Sequence, residues 1–168
     1  MSIPRGSGTD PWDIVAYEAK MLFGLCGLLG NEESKQYSQL VRNAVVESAC
    51  LHARILVDML LSRDSGKGDD IQLSELLPGF RHTSVEQLRV AYGDARTELS
   101  PCWILNKMIA HPTLKRGTSH DYTAVLKKLP GSIESVCQEI ENHRRPVPSK
   151  LPKPTGEMDP RFCAKTSS

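Results

Sequence analysis

The sequence predicts an all-α, single-domain helical bundle built around a long central helix. Apolar residues recur at spacings of three and four along most of the chain, as they do on one face of an α-helix. The period-two alternation of a strand is absent, and the β-branched residues fall at helical spacings. A chain of 168 residues with 39% hydrophobic and 24% charged residues suits one domain with a sizeable core.

The composition divides the chain into three parts. We expect a flexible N-terminus at 1–8, a helical bundle at 9–143 and a basic, proline-rich, flexible tail at 144–168. Six bases and two acids give the tail a charge of +4, and because the whole chain carries +1, residues 1–143 carry −3. A segment so poor in large apolar residues cannot bury enough surface to offset the entropy lost on ordering.

The sequence favours a cytoplasmic protein that does not enter a membrane. No segment reaches the roughly 18 to 20 apolar residues of a membrane span, and the first residues lack the apolar region of a secretory signal. Five dispersed cysteines, at positions 26, 50, 102, 137 and 163, indicate reduced thiols that pack as small hydrophobes. We expect no bound metal and no cofactor.

The first helix has clear local signals at both ends. Asp10 is a good N-cap and Pro11 suits the first helical position, while Gly30 can end the helix. Gly24 and Gly27 each weaken a helix by about 1 kcal/mol relative to alanine. Close packing against a neighbouring helix would explain these two glycines.

The second predicted helix, 32–62, is the longest. Two apolar stripes run along it, so it must be covered on most sides, as the central helix of a bundle is. One stripe contains His52, whose ring needs a polar partner to offset a desolvation cost of a few kcal/mol. Outside the two stripes, one line of residues along the helix should remain exposed to solvent: Glu47, Leu51, Arg54 and Asp58.

Five more helical segments follow. We expect a short turn of helix within 71–80, then a helix over 83–99 that begins with a capping box of Ser84 and Gln87. Ser100 and Pro101 begin the next helix, which ends at His111 because Pro112 disfavours the helical conformation there. The last region is predicted as two pieces broken at Pro130 and Gly131.

His111 is the strongest candidate for chemistry. The partial negative charge at the end of a helix favours the protonated ring, and a histidine that titrates near neutrality can transfer protons. Lys115 and Arg116 follow it and could hold a phosphate. These groups suffice for metal-independent ribonuclease chemistry, in which a ribose 2′-hydroxyl attacks the adjacent phosphate.

Other polar residues in the helices have structural explanations as well. His52 could be a core histidine bonded to a neighbouring helix, and Arg54 and Asp58 are spaced for a surface ion pair. Glu47 lies two turns before Arg54 on the same line. A metal site built on His52, His111 and Glu47 is disfavoured, because no two of them have the spacing of metal ligands on one helix.

Two stretches, "VESACLHARILVDML" and "LNKMIAHPT", resemble a group of uncharacterised bacterial helical proteins, and the helical layout with its late "AH" resembles the HEPN superfamily (higher eukaryote and prokaryote nucleotide-binding). Ribonucleases of that superfamily carry arginine, four to six residues and then histidine. The resemblance implies RNA metabolism or a bacterial defence or toxin–antitoxin system, metal-independent endoribonuclease activity, an RNA or antitoxin partner, and a homodimer. It also implies two groups of site residues: for catalysis His111, Asn106, Lys107 and Arg54; for binding His52, Glu47, Lys115 and Arg116.

The motif departs from the ribonucleases at its first position. Asn106 stands five residues before His111, where those enzymes have arginine. Lys107 offers a point charge without the planar two-pronged geometry of a guanidinium. The mildly acidic bundle also counts against tight binding to phosphates. The alternative is therefore a catalytically silent helical protein-interaction module.

Overall fold

The computed structural model describes residues 10–61, 71–106 and 122–145. The fold is all-α, as predicted, and these ranges contain no strand. The predicted flexible segments, 1–8 and most of 144–168, lie outside the described residues. The helices are α1 (Pro11–Gly30), α2 (Gln39–Leu60), α3 (Leu73–Leu76), α4 (Thr83–Tyr92), α5 (Pro101–Ile104) and α6 (Thr123–Arg144), with a 3₁₀ helix, η1 (Glu32–Gln36), between α1 and α2.

Helix α1 begins and ends where the sequence predicts. The Asp10 side chain accepts a hydrogen bond from the backbone N–H of Trp12 at 3.0 Å, and Pro11 occupies the first turn. The guanidinium of Arg144, at the C-terminal end of α6, lies 4.2 Å from the centre of the Trp12 ring. This cation–π contact ties the last helix to the start of the first.

The predicted central helix is confirmed: α2 packs against α1, α4 and α6. Its start was predicted wrongly, because residues 32–36 form a 3₁₀ helix and Tyr37 is extended. Ser38 then caps α2 by accepting a hydrogen bond from the N–H of Val41 at 3.3 Å. The face of α2 that enters the core is wholly apolar: Ala49, Cys50, Ala53, Leu56, Val57 and Leu60.

Helix α4 begins at Thr83, where the sequence predicts, but its predicted cap and its predicted end are wrong. The N-cap is His82, whose Nδ1 accepts a hydrogen bond from the N–H of Ser84 at 3.3 Å, so no capping box of Ser84 and Gln87 forms. The helix ends at Tyr92 because Gly93 adopts a φ of +75°, a conformation that favours glycine and stops a helix. Leu99 is 69% exposed and also has a positive φ, so it does not extend the apolar face of α4.

The predicted break at Pro130 and Gly131 is wrong, since α6 continues through both residues. Proline removes one backbone hydrogen bond from a helix and crowds the preceding turn. Here Leu129 and Ile133, on either side of it, are completely buried. The segments of α6 before and after Pro130 both bury apolar side chains in the core. This shared burial keeps the two segments on one helix axis, because a break would expose the apolar side chains of one of them.

The glycines of α1 do not mediate close helix packing, contrary to the expectation. A Cβ built at Gly24 or Gly27 meets no atom within 4 Å. No helix in the described ranges is both long enough and apolar enough to cross a bilayer.

Replacing either α1 glycine with alanine should stabilise the protein. Gly24→Ala and Gly27→Ala should each raise the free energy of unfolding by about 0.5–1 kcal/mol, because alanine loses less backbone entropy and its Cβ enters open space. Urea denaturation measures the change. Gly93→Ala is the matched control and should destabilise, since its Cβ would lie 3.1 Å from the Cβ of Ser100 at a φ of +75°. A loss of stability in Gly24→Ala would contradict the open surface.

Candidate functional site

A carboxylate–imidazole pair joins α1 to α2. Glu18 Oε2 lies 2.6 Å from His52 Nδ1, and each side chain is 12% exposed. Because an ionised carboxylate can only accept, Nδ1 of the ring carries the donated proton. The pair therefore fixes the tautomer and orientation of His52 and leaves Nε2 as the ring's second proton-transfer position.

Helix α1 supplies two residues around this histidine. The Tyr17 ring meets the His52 ring edge-on, with centroids 6.3 Å apart and planes at 77°. Glu18 lies between Val15 and Leu22 in the apolar series of α1, and all three are buried. Burying two polar side chains costs little free energy only when they form hydrogen bonds with each other. Glu18 is therefore the polar partner that the sequence analysis expects for His52.

Glu18 is the site residue that sequence reasoning missed. Its signal was available: a carboxylate at core spacing on α1 needs a partner just as an imidazole at core spacing on α2 does. The two residues are 34 positions apart. Only the packing of α1 on α2 shows that they meet.

Arg54 and Glu47 lie on a different side of α2 from His52. The Arg54 Nε lies 3.5 Å from Asp58 Oδ2, with 27% and 45% of the two side chains exposed. Residues two apart on a helix lie on different sides of it, so the Arg54 side chain does not lie beside the His52 ring. Glu47 is exposed. The ion pair predicted for Arg54 and Asp58 is present, and at this exposure it contributes a few tenths of a kcal/mol.

In the described part of the chain, Asn106 lies two residues after the end of α5. Its side-chain Nδ2 donates to the Cys102 Sγ at 3.4 Å, and the residue is half-buried. The predicted site residues Lys107, His111, Lys115 and Arg116 lie outside the described residues. Glu47, His52 and Arg54 thus share helix α2 but lie on two different sides of it, and His52 is the one bonded to α1 through Glu18.

A second polar cluster, formed by His82, Ser84 and Glu139, lies between α4 and α6. The Ser84 Oγ is 2.9 Å from His82 Nδ1, and His82 Nε2 is 3.7 Å from Glu139 Oε2. A groove of about 470 Å³ lies beside it. The backbone N–H of Ser84 donates to the same Nδ1, and Ser84 is only 4% exposed. His82 thus caps α4 by accepting from the N–H of Ser84, and this is the role that we assign to the pair.

The cysteines behave as core residues in the described part of the chain. Burial raises the pKa of the Cys50 thiol from 9.0 to about 12 and that of Cys137 to about 11. A thiol with so high a pKa is a poor nucleophile and a poor metal ligand near neutrality. The described residues contain no group of three His, Cys, Asp or Glu side chains that could hold a metal ion.

No protein-family model, no characterised protein and no solved structure matches this chain. A proposal about its function must therefore depend on the chain's own residues.

The Glu18–His52 pair should contribute measurably to stability. Glu18→Ala and His52→Ala should each lower the free energy of unfolding by about 1–3 kcal/mol, because each leaves a polar group without its partner in a largely buried position. A double-mutant cycle measured by urea denaturation should give a coupling energy of about 1 kcal/mol or more.

The exposed pair on α2 is the control for this cycle. Arg54→Ala and Asp58→Ala should show a coupling of only about 0.3–0.5 kcal/mol, since solvent screens the charges. Equal coupling energies in the two cycles would contradict the difference in burial between the pairs.

Alkaline conditions should destabilise the fold partly through Cys50. The unfolded thiol releases its proton near pH 9.0 and the folded thiol near 12, so the unfolded state binds fewer protons between these values. The contribution of the protonated Cys50 thiol to the free energy of unfolding is complete below pH 9.0 and is lost as the pH rises towards 12. Urea denaturation on both sides of pH 9.0 should show a smaller alkaline loss in Cys50→Ala than in the wild-type chain. An identical pH dependence in both proteins would rule out this contribution.

Proposed function

We propose that this chain is a HEPN-like helical domain that acts on RNA, in RNA metabolism or in a bacterial defence or toxin–antitoxin system. The observation that supports the proposal is the Glu18–His52 pair on the helix that carries the "HAR" stretch. A carboxylate that holds Nδ1 of an imidazole is the arrangement by which enzymes orient a histidine for proton transfer through Nε2. A cytoplasmic location and an RNA or antitoxin partner belong to the same proposal.

The chemistry proposed for this site is cleavage of RNA without a metal ion. His52 Nε2 takes the proton of a ribose 2′-hydroxyl, whose oxygen forms a bond to the adjacent phosphorus. The bond from phosphorus to the 5′-oxygen breaks, and His111 gives a proton to that leaving oxygen. The products are a 2′,3′-cyclic phosphate and a 5′-hydroxyl, so protons and electrons balance. Lys107, with Asn106 beside it, steadies the charge on the phosphate.

A second candidate function, a catalytically silent helical interaction module, is favoured by a different observation. Arg54 binds Asp58 on its own helix, and Asn106 binds Cys102 within its own turn. A structural role requires only such local contacts. In this case the Glu18–His52 pair fixes the packing of α1 on α2 and transfers no proton.

Incubation of the purified chain with single-stranded RNA in the presence of a metal chelator separates the two functions. The wild-type chain should cleave the RNA and leave cyclic phosphate ends. His111→Ala and His52→Ala should each slow cleavage by about 100-fold or more, as the removal of a proton-transfer group does. His143→Ala, at an exposed histidine on α6, is the matched control and should cleave at the wild-type rate.

Each result decides between the candidates. Cleavage lost in both test variants and kept in the control supports the ribonuclease. A wild-type chain that neither binds nor cleaves RNA rejects the RNA proposal and supports the interaction module. If cleavage survives His52→Ala but not His111→Ala, the proton acceptor assigned to His52 is wrong.

A further inference from the structure

A second groove, of about 640 Å³, lies where α2 ends, between α3 and the first two turns of α4. We call it the α3–α4 groove. Its floor and walls are largely apolar, and the apolar residues that line it are Leu60, Leu61, Leu73, Phe80 and Val85. A concave surface of this size, apolar apart from a few polar groups, has the properties of a small-molecule site.

The floor of the α3–α4 groove favours an aliphatic ligand. Leu60, Leu61 and Leu73 lie at the edge of the core, and Val85 is half-buried beside them. A polar group placed on this floor would lose its water without gaining a hydrogen-bond partner, whereas a methylene group gains free energy by leaving water. The part of a ligand that lies here must therefore be apolar.

The aromatic wall of the groove is held in place by neighbouring rings. The Phe80 ring stacks on His82, with centroids 6.4 Å apart and planes at 25°. It also meets the His143 ring of α6 edge-on, with centroids 5.3 Å apart. Because two rings on different elements already orient Phe80, little binding free energy is lost on ordering this wall when a ligand arrives.

The charged residues of the groove leave one cation without a counter-charge. The Arg89 Nε lies 3.4 Å from Glu86 Oε2 on the same helix. Arg81 is exposed at the groove, and no ion pair among the described residues involves it. Two arginines and one glutamate give the lining a net charge of +1 when His82 is neutral. This balance is complementary to a ligand with a single negative charge.

We propose that the α3–α4 groove binds an aliphatic monocarboxylate. Its chain lies on the leucine floor and against Phe80, and the Arg81 guanidinium donates two parallel hydrogen bonds to the carboxylate. A phosphate monoester would bring a second negative charge towards Glu86, and a cationic amphiphile would face Arg81. The groove is built by α2, α3 and α4 and involves neither the Glu18–His52 pair nor RNA, so this proposal is independent of the proposed function.

Isothermal titration calorimetry of the full chain tests the apolar half of the site. Octanoate and decanoate are the probes, each kept below the concentration at which it forms micelles. Both should bind saturably, and affinity should rise by about two- to fourfold for each added methylene, because a groove open on one side buries each group in part. Circular dichroism in the presence of each probe checks that the chain remains folded.

Two variants with matched controls locate the binding. Arg81→Gln should weaken octanoate by about tenfold or more, because the charged hydrogen bonds are lost, yet change the affinity for octanol by no more than about twofold. Val85→Thr should weaken octanoate and octanol alike by about threefold, since a hydroxyl replaces a methyl group against the chain. Arg96→Gln and Val90→Thr are the controls: both residues are exposed and neither lines the groove, so both variants should bind as the wild-type chain does.

Each contrary result rejects a stated part of the proposal. A wild-type chain that binds neither carboxylate has no such site. Octanoate binding that survives both Arg81→Gln and Val85→Thr, or that weakens equally in the two control variants, is adsorption of a surfactant elsewhere on the chain. An equal loss of octanol and octanoate in Arg81→Gln would show that the guanidinium does not hold the carboxylate. RNA is absent from these titrations, so their outcome is separate from that of the cleavage experiment.

Discussion

The burial of one face of α2 is the constraint on which the rest of the bundle depends. Ala49, Ala53 and Val57 are fully buried along that face, and small residues among them let neighbouring helices approach closely. Helices α1, α4 and α6 all pack on this one helix. From Ala49 onwards α2 is buried on most of its circumference, so the packing of this part decides which of its side chains can contact another molecule.

The Glu18–His52 pair is the consequence of that burial for polar chemistry. His52 lies at the border between the core of α2 and its exposed side, where an imidazole can neither stay fully hydrated nor remain without a partner. Glu18 satisfies Nδ1 and so leaves only one ring nitrogen for other contacts. The same geometry can fix the packing of α1 on α2 or orient a proton-transfer group. The fold alone is therefore compatible with both candidate functions.

The polar residues at the surface differ in how far their contacts reach. Those beside the groove between α4 and α6 include His82, which forms the N-cap of α4. His52 and His82 illustrate this difference. The hydrogen bond to His82 Nδ1 ends within the first turn of α4 and is explained by that turn, although Nε2 also lies 3.7 Å from Glu139 on α6. The hydrogen bond of His52 Nδ1 joins α2 to α1, so its explanation lies in how these helices pack.

Local signals were enough to predict the helical class, the limits of α1, the start of α5 at Ser100 and the central place of α2, because caps and 3.6-residue periodicity are local properties of the chain. Tertiary structure decided the rest. Local rules favoured a break at Pro130, but burial of residues on both sides keeps α6 continuous. Local rules also indicated that His52 needs a polar partner. They could not identify Glu18 as that partner, because its position depends on how far α1 is shifted and rotated against α2. Pairings of this kind come from packing, which no single stretch of sequence encodes.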